Sequence, residues 1–193
     1  MNIQVAIDQV PALDPAIFRA AMGTFATGVG VVLANHDGRL HGRTVNSLTS
    51  VSLNPPLLLV CPRRGSATGT AVKESGSFVV NILDVEQREI ATRFVGDFTN
   101  RFDELDLGRS PRGCAVLADA LAHFDCVVRN VYEGGDHDII VGGVVSRPAR
   151  PRQPSLWLAM AIRYRRKRLL ASRRPRHGRR EMQERSAIHL TLP

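Results

Sequence analysis

The run from Gly42 to Cys61, GRTVNSLTSVSLNPPLLLVC, limits the fold more than any other part of the chain. Hydroxyl and amide residues that normally favour turns and caps lie here inside a β-like segment, and after Asn54-Pro55-Pro56 it reads directly into the apolar Leu57 to Cys61. Side chains alternate across a strand, so Thr44, Asn46, Leu48, Ser50 and Ser52 share one face, while Val45, Ser47, Thr49, Val51 and Leu53 share the other. The polar face suits a bound polar ligand or the wet side of an edge strand, and the residues alone leave both readings open.

The flanking patterns supply the remaining elements. Asp14-Pro15 is an N-cap and first-turn pair, and Ile17, Phe18, Ala21, Met22 and Phe25 form an apolar stripe, which predicts a helix over 15–25. A β-rich run from Gly28 to Ala34 ends at Asn35-His36-Asp37-Gly38, whose Asp-Gly pair signals a hairpin into a partner strand over 39–53. Leu57 to Cys61 reads as a buried strand. Ser66 can cap a short helix reaching about Glu74, and Asp84 with Gln87 makes a capping-box-like start for a helix to Val95. Alternation over Ala122 to Val128, a Glu133-Gly134-Gly135-Asp136 turn and the run Ile139 to Val145 give a late hairpin. Six or so strands with two or three helices predict a mainly β or α+β fold, and no G-x-G-x-x-G follows a strand to suggest a Rossmann domain.

The formal net charge of +8 over 193 residues is unevenly spread. Residues 163–193 hold eleven Arg/Lys and two Glu, a net of +9, which leaves 1–162 with fifteen basic and sixteen acidic residues, a net of −1. The charge therefore belongs to a tail, expected to be solvated and disordered, and the body lacks the interleaved basic and aromatic residues of a nucleic-acid surface. No apolar run approaches the roughly 20 residues of a membrane span, and the N-terminus does not read as a secretory signal, so a cytoplasmic location is expected. Cys61, Cys114 and Cys126 form no C-x-x-C pair, which argues against a disulfide framework or a zinc site.

The Gly42–Cys61 run resembles the T-x-N-S-x-x-S-V-S-L-x-P-P-L signature of the flavin reductase-like family, small FMN-binding split barrels that serve as reductase components of two-component monooxygenases. Phe18 to Val29 is similar to that family's opening helix and first strand, and Ser77 to Leu83 to its middle strand. Gln87, Arg93-Phe94, Asp97, Arg101-Phe102 and Gly134-Gly135-Asp136-His137 with Ile139, Gly142 and Val144 extend the likeness over roughly residues 14–150. The resemblance implies a split β-barrel with rim helices over 14–165, an N-terminal extension over 1–13 and a basic tail over 166–193. It also implies hydride transfer from NADH or NADPH to FMN or FAD, a homodimer and a partner monooxygenase. Flavin contacts are expected from Thr44, Val45, Asn46, Ser47, Ser50, Ser52, Cys61, Arg63, Ser66, Thr68, Arg101 and Phe102, and nicotinamide contacts from Asp136 and His137. A non-catalytic flavin-binding barrel is the alternative.

Two of these positions can also be argued from chemistry. Arg63-Arg64-Gly65-Ser66-Ala67-Thr68 offers the unpaired amides of a helix N-terminus with hydroxyls and a guanidinium, a fit for a phosphate, although a plain helix cap beside a surface Arg pair has the same pattern. Gly134-Gly135-Asp136-His137 sets an imidazole at the mouth of a hairpin without the spaced ligands a metal needs. No nucleophilic triad is legible, as befits hydride transfer, which asks a protein to stack rings and supply hydrogen bonds rather than donate a nucleophile. The chain departs from the family pattern at Arg43, at Gly143, and after residue 150, where Pro154 to Trp157 and Arg163-Tyr164-Arg165 match it only approximately.

Overall fold

Asp37 and Gly38, with φ of 50° and 72°, close the first hairpin in the left-handed conformation that such two-residue turns require. The hairpin joins β1 (Gly30–His36) to β2 (Arg39–Val45) in a computed structural model that describes residues 13–96 and 100–146. Asp97, the first twelve residues and the basic tail lie outside the described residues.

The expected single strand over 39–53 is two strands. β2 stops at Val45, Asn46 and Ser47 turn the chain, and β3 (Leu48–Leu53) then pairs with β4 (Pro56–Val60), with a register shift between Ser50 and Ser52. The alternation read across 44–52 therefore does not describe one continuous face. α2 (Ala67–Ser75), β5 (Ser77–Ile82), a short α3 (Arg88–Arg93) and a small β6–β7 hairpin (Leu107–Arg109, Ala115–Leu117) lead to the long hairpin of β8 (Ala122–Gly134) and β9 (His137–Ser146). α1 (Pro15–Met22) precedes them all. It is capped by the Asp14 carboxylate accepting from the Ala16 amide and ends at Met22, three residues short of the predicted helix, with Gly23 as its C-cap. α3 is shorter than the 84–95 reading because Gln87 donates its capping capacity to a turn: its side-chain oxygen accepts from the Asp84 amide, and the Asp84 carboxylate accepts from the Glu86 amide.

The large sheet runs β2-β1-β5-β8-β9-β4-β3, antiparallel at every ladder. Its two end strands, β2 and β3, are joined through Asn46-Ser47 rather than by a ladder, so the barrel is split at the polar motif. All seven strands feed one interior: Val32, Ala34, Val45, Leu58, Val60, Phe78, Val80, Cys126 and Ile140 are buried together with Ala71 and Val72 of α2, and Leu48 packs against them. A second core beneath α3 gathers Val31, Leu33, Leu83, Ala91, Phe94 and Leu117. Burying each large apolar side chain is worth roughly 1.5–3 kcal/mol, so the first core, which joins Val45 of β2 to Ala71 and Val72 of α2, holds these two elements together. Gly143, which departs from the family pattern, sits under Arg129: a Cβ there would lie 2.7 Å from the guanidinium Nε.

Candidate functional site

The turn after β4 is built by local chemistry. Gly65 takes φ of 72°, and Ser66 then caps α2, its hydroxyl accepting from the Gly69 amide at 3.2 Å. Gly69 is required for this approach, since a Cβ there would stand 2.9 Å from the Ser66 Oγ. The first amides of the helix lack intrahelical acceptors and carry its partial positive charge. Beside them Thr68 is 4% exposed, and its hydroxyl has no hydrogen-bond partner among the described residues. The hydroxyl oxygen itself is not sealed from solvent, and from the groove wall it can donate to an acceptor on a ligand.

This helix start forms one wall of an open groove of about 1020 Å³. Arg63, Arg64, Gly65, Ser66, Ala67 and Thr68 line one side, and Arg39 to Arg43 of β2 with Arg101 and Phe102 line the rest. Arg101 donates to the Gly42 carbonyl at 3.0 Å, and Phe102 packs edge-on against Phe94 with ring centroids 5.3 Å apart. Thr44 ties α3 to the same strand: its amide donates to the Phe94 carbonyl and its hydroxyl to the Ala91 carbonyl at 2.6 Å. Gly42 leaves room for the Phe94 ring, which a Cβ would meet at 2.6 Å.

The Gly-Asp-His hairpin is attached to the phosphate-type turn by backbone. The Arg64 amide donates to the Asp136 carbonyl at 2.9 Å, the Asp138 amide to the Pro62 carbonyl at 3.0 Å, and Arg63 bridges to His137. Below this seam the nearly buried Asp138 carboxylate receives Lys73 Nζ at 2.7 Å and Arg64 Nε at 3.4 Å. The hydrogen bond from Lys73, aided by the two positive charges, holds the Asp138 carboxyl below the usual carboxylate range. Asp136 is held low in the same way, first by its 2.7 Å hydrogen bond with His137 Nδ1. Both Asp136 and His137 remain open to solvent.

The expected site residues thus fall into three sets. Arg63, Ser66, Thr68, Arg101 and Phe102 come together on the groove. Thr44, Val45, Asn46, Ser47 and Cys61 stand at the split: Ser47 brackets the end of β4, its hydroxyl accepting from the Cys61 amide at 3.1 Å and donating to the Cys61 carbonyl at 3.2 Å, while Asn46 is exposed. Val45 and Thr68 meet across a small apolar gap that also touches Arg43. Burial pushes the Cys61 thiol up, which keeps it neutral. Ser50 and Ser52 lie on the end strand β3 and do not line the groove, and Asp136 and His137 stand beside it without lining it. Arg39, Leu40 and His41 line it although no role was expected of them; the signal for Arg39 and His41 was the alternation Arg39-x-His41-x-Arg43 on one strand face.

A split antiparallel barrel that presents a basic helix start beside a hydroxyl-rich strand junction defines a flavin-binding class of protein. The sequence comparisons agree: residues 22–166 match the flavin reductase like domain, and the chain belongs to that family. It is 39% identical over 135 residues to the reductase subunit HsaB of a flavin-dependent monooxygenase from Rhodococcus jostii, covering 70% of this chain and 69% of that one. It is also 39% identical over 137 residues to the FMN reductase (NADH) SmoA of Agrobacterium fabrum, covering 71% and 78%. Among solved structures, the NADH:FAD oxidoreductase SgcE6 of Streptomyces globisporus, in complex with NAD and FAD fragments, superimposes with a TM-score of 0.70 at 33% identity, covering 75% of this chain and 90% of that one.

Proposed function

We propose that this chain is an NAD(P)H:flavin oxidoreductase that supplies reduced flavin to a partner monooxygenase. The observation that carries the reading is the backbone seam joining the Ser66 helix start to the Gly-Asp-His hairpin, which sets a phosphate-type site and an exposed imidazole side by side. Bound flavin supplies the acceptor for a hydride, two electrons and one proton, leaving nicotinamide C4, with the second proton taken from water. The chain's own residues position: Arg63 and the Thr68 hydroxyl hold a flavin phosphate, Thr44 to Ser47 frame the ring end of the groove, and Asp136 orients His137 toward the nicotinamide nucleotide. Ser50 and Ser52 shape the junction through β3 rather than by lining the groove.

The reading also includes a homodimer and a cytosolic setting. Exposed apolar groups on α1 (Ile17, Phe18 and Met22) and on the end strand β3 (Val51 and Leu53, the latter 90% exposed) support a second copy as their cover. The three free cysteines suit a reducing compartment, and no helix among the described residues is long and apolar enough to cross a membrane. The test is loss of NADH absorbance on mixing the protein with NADH and flavin. Oxidation that requires both protein and flavin supports the enzyme, whereas flavin binding without NADH oxidation supports the non-catalytic alternative.

A further inference from the structure

The groove is longer and more basic than a single phosphate needs. Five arginines and no carboxylate line it among the described residues, in a body whose net charge is −1. Arg64 is committed to Glu133 and Asp138, and Arg101 to the Gly42 carbonyl. Arg39, His41 and Arg43 form a row along β2. They stand at alternate positions of β2, so their side chains leave one face of the strand, and all three line the groove. Four residues of strand separate Arg39 from Arg43, about 13 Å at roughly 3.3 Å per residue, so the row extends well beyond the width of a single phosphate. The Arg39 side chain is exposed and makes no ion pair or hydrogen bond among the described residues. The row also points away from the split at Asn46-Ser47, as a ligand's second phosphate and adenosine must if its ring lies at the split. At the opposite wall the Thr68 hydroxyl, which lines the groove, can donate to a first phosphate.

We infer that the Arg39-His41-Arg43 row takes the adenosine diphosphate half of FAD, and that this chain therefore prefers FAD to FMN. The inference rests on the flavin reading above and adds the choice of flavin, over which the FMN-named and FAD-named relatives differ. Guanidinium groups spaced along a strand recognise successive phosphates by charge-assisted hydrogen bonds, and such recognition weakens with salt.

The test is fluorescence titration of the full-length chain with FAD, FMN and riboflavin, with ADP as competitor, for the wild type and for Arg39→Gln and the double variant Arg39→Gln/His41→Gln. FAD should bind at least tenfold more tightly than FMN, by a margin that narrows as salt rises, and ADP should displace FAD at concentrations that leave FMN in place. Arg39→Gln should weaken FAD about tenfold, leave the FMN dissociation constant unchanged and keep the wild-type Tm. Equal FAD and FMN affinities, or an Arg39→Gln effect of the same size on both, would overturn the inference while leaving the flavin reading intact. An Arg39→Gln effect confined to the KM for NADH would assign the row to the nicotinamide dinucleotide and also overturn it. Binding of neither flavin would overturn this inference and the proposed function together.

Discussion

Single side chains divide into those that shape the site and those left to meet ligand. His137 is of the second kind, exposed beside the groove and held by Asp136. His137→Ala should raise the KM for NAD(P)H about tenfold while the flavin dissociation constant stays put, a split that steady-state kinetics and flavin titration together resolve; the reverse split would exchange the two subsites. Asp138 is of the first kind. Its carboxyl titrates below the ordinary value of 3.8, so the stability it contributes is complete above that value and is lost as the pH falls through the lower folded one. Asp138→Asn should lower the Tm at pH 7 and flatten the acid limb of the Tm profile below about pH 4, whereas an unchanged acid limb would mean that other carboxylates dominate it. Asp125 poses the opposite case. It is fully buried on β8, beside the β6–β7 hairpin core on the outer face of the sheet, and neither carboxylate oxygen has a hydrogen-bond partner among the described residues. Removing an unsatisfied buried polar group returns about 1–3 kcal/mol, and valine suits a strand, so Asp125→Val should raise the Tm by at least about 2 °C. A lower Tm would show that Asp125 has a partner.

At the scale of elements, the groove depends on β2 and α3 being locked together through Gly42, Thr44 and the Phe94–Phe102 pair. Gly42→Ala would drive a methyl into the Phe94 ring and should cost about 1–3 kcal/mol, read by chemical denaturation. It should also weaken flavin binding, because Arg101 and Phe102 would shift with the ring; full stability in the variant would mean that the ring has room to give. The elements that could be read from the sequence are those fixed locally. The Asp37-Gly38 hairpin and the Ser66 cap of α2 appear where turn and cap chemistry put them, because each needs only a few adjacent residues. The break at Asn46-Ser47 was hidden because it depends on Ser47 bracketing Cys61, a partner fourteen residues away, and no Gly or Pro marks a turn between 43 and 53. The Asp84-Gln87 pair misled for a related reason: the same side-chain bonds that open a helix can close a turn.

For the molecule as a whole, the polar run, which the residues alone left open between a ligand-facing strand and a wet edge strand, is the seam of a split barrel, and the helix start and the late hairpin both meet near that seam. Arg63, Ser66 and Thr68, where motif and chemistry coincide, share the groove with Arg101 and Phe102, which the motif alone suggested. Arg39 and His41 were not legible, because a basic residue on a strand looks the same whether it faces solvent or a groove wall built by α2, far along the chain. The architecture also bears on how flavin is used. Cys61 is a raised, half-buried thiol, His137 is already engaged with Asp136, and the groove is open, so flavin should enter and leave as a substrate. The most direct measurement is the rate of NADH oxidation by extensively dialysed protein against added flavin. The account predicts a rate near zero without flavin, saturation as flavin is added, and reduced flavin that reaches a monooxygenase held behind a dialysis membrane. Stoichiometric flavin retained through dialysis, with electrons passed only when the two proteins touch, would contradict it.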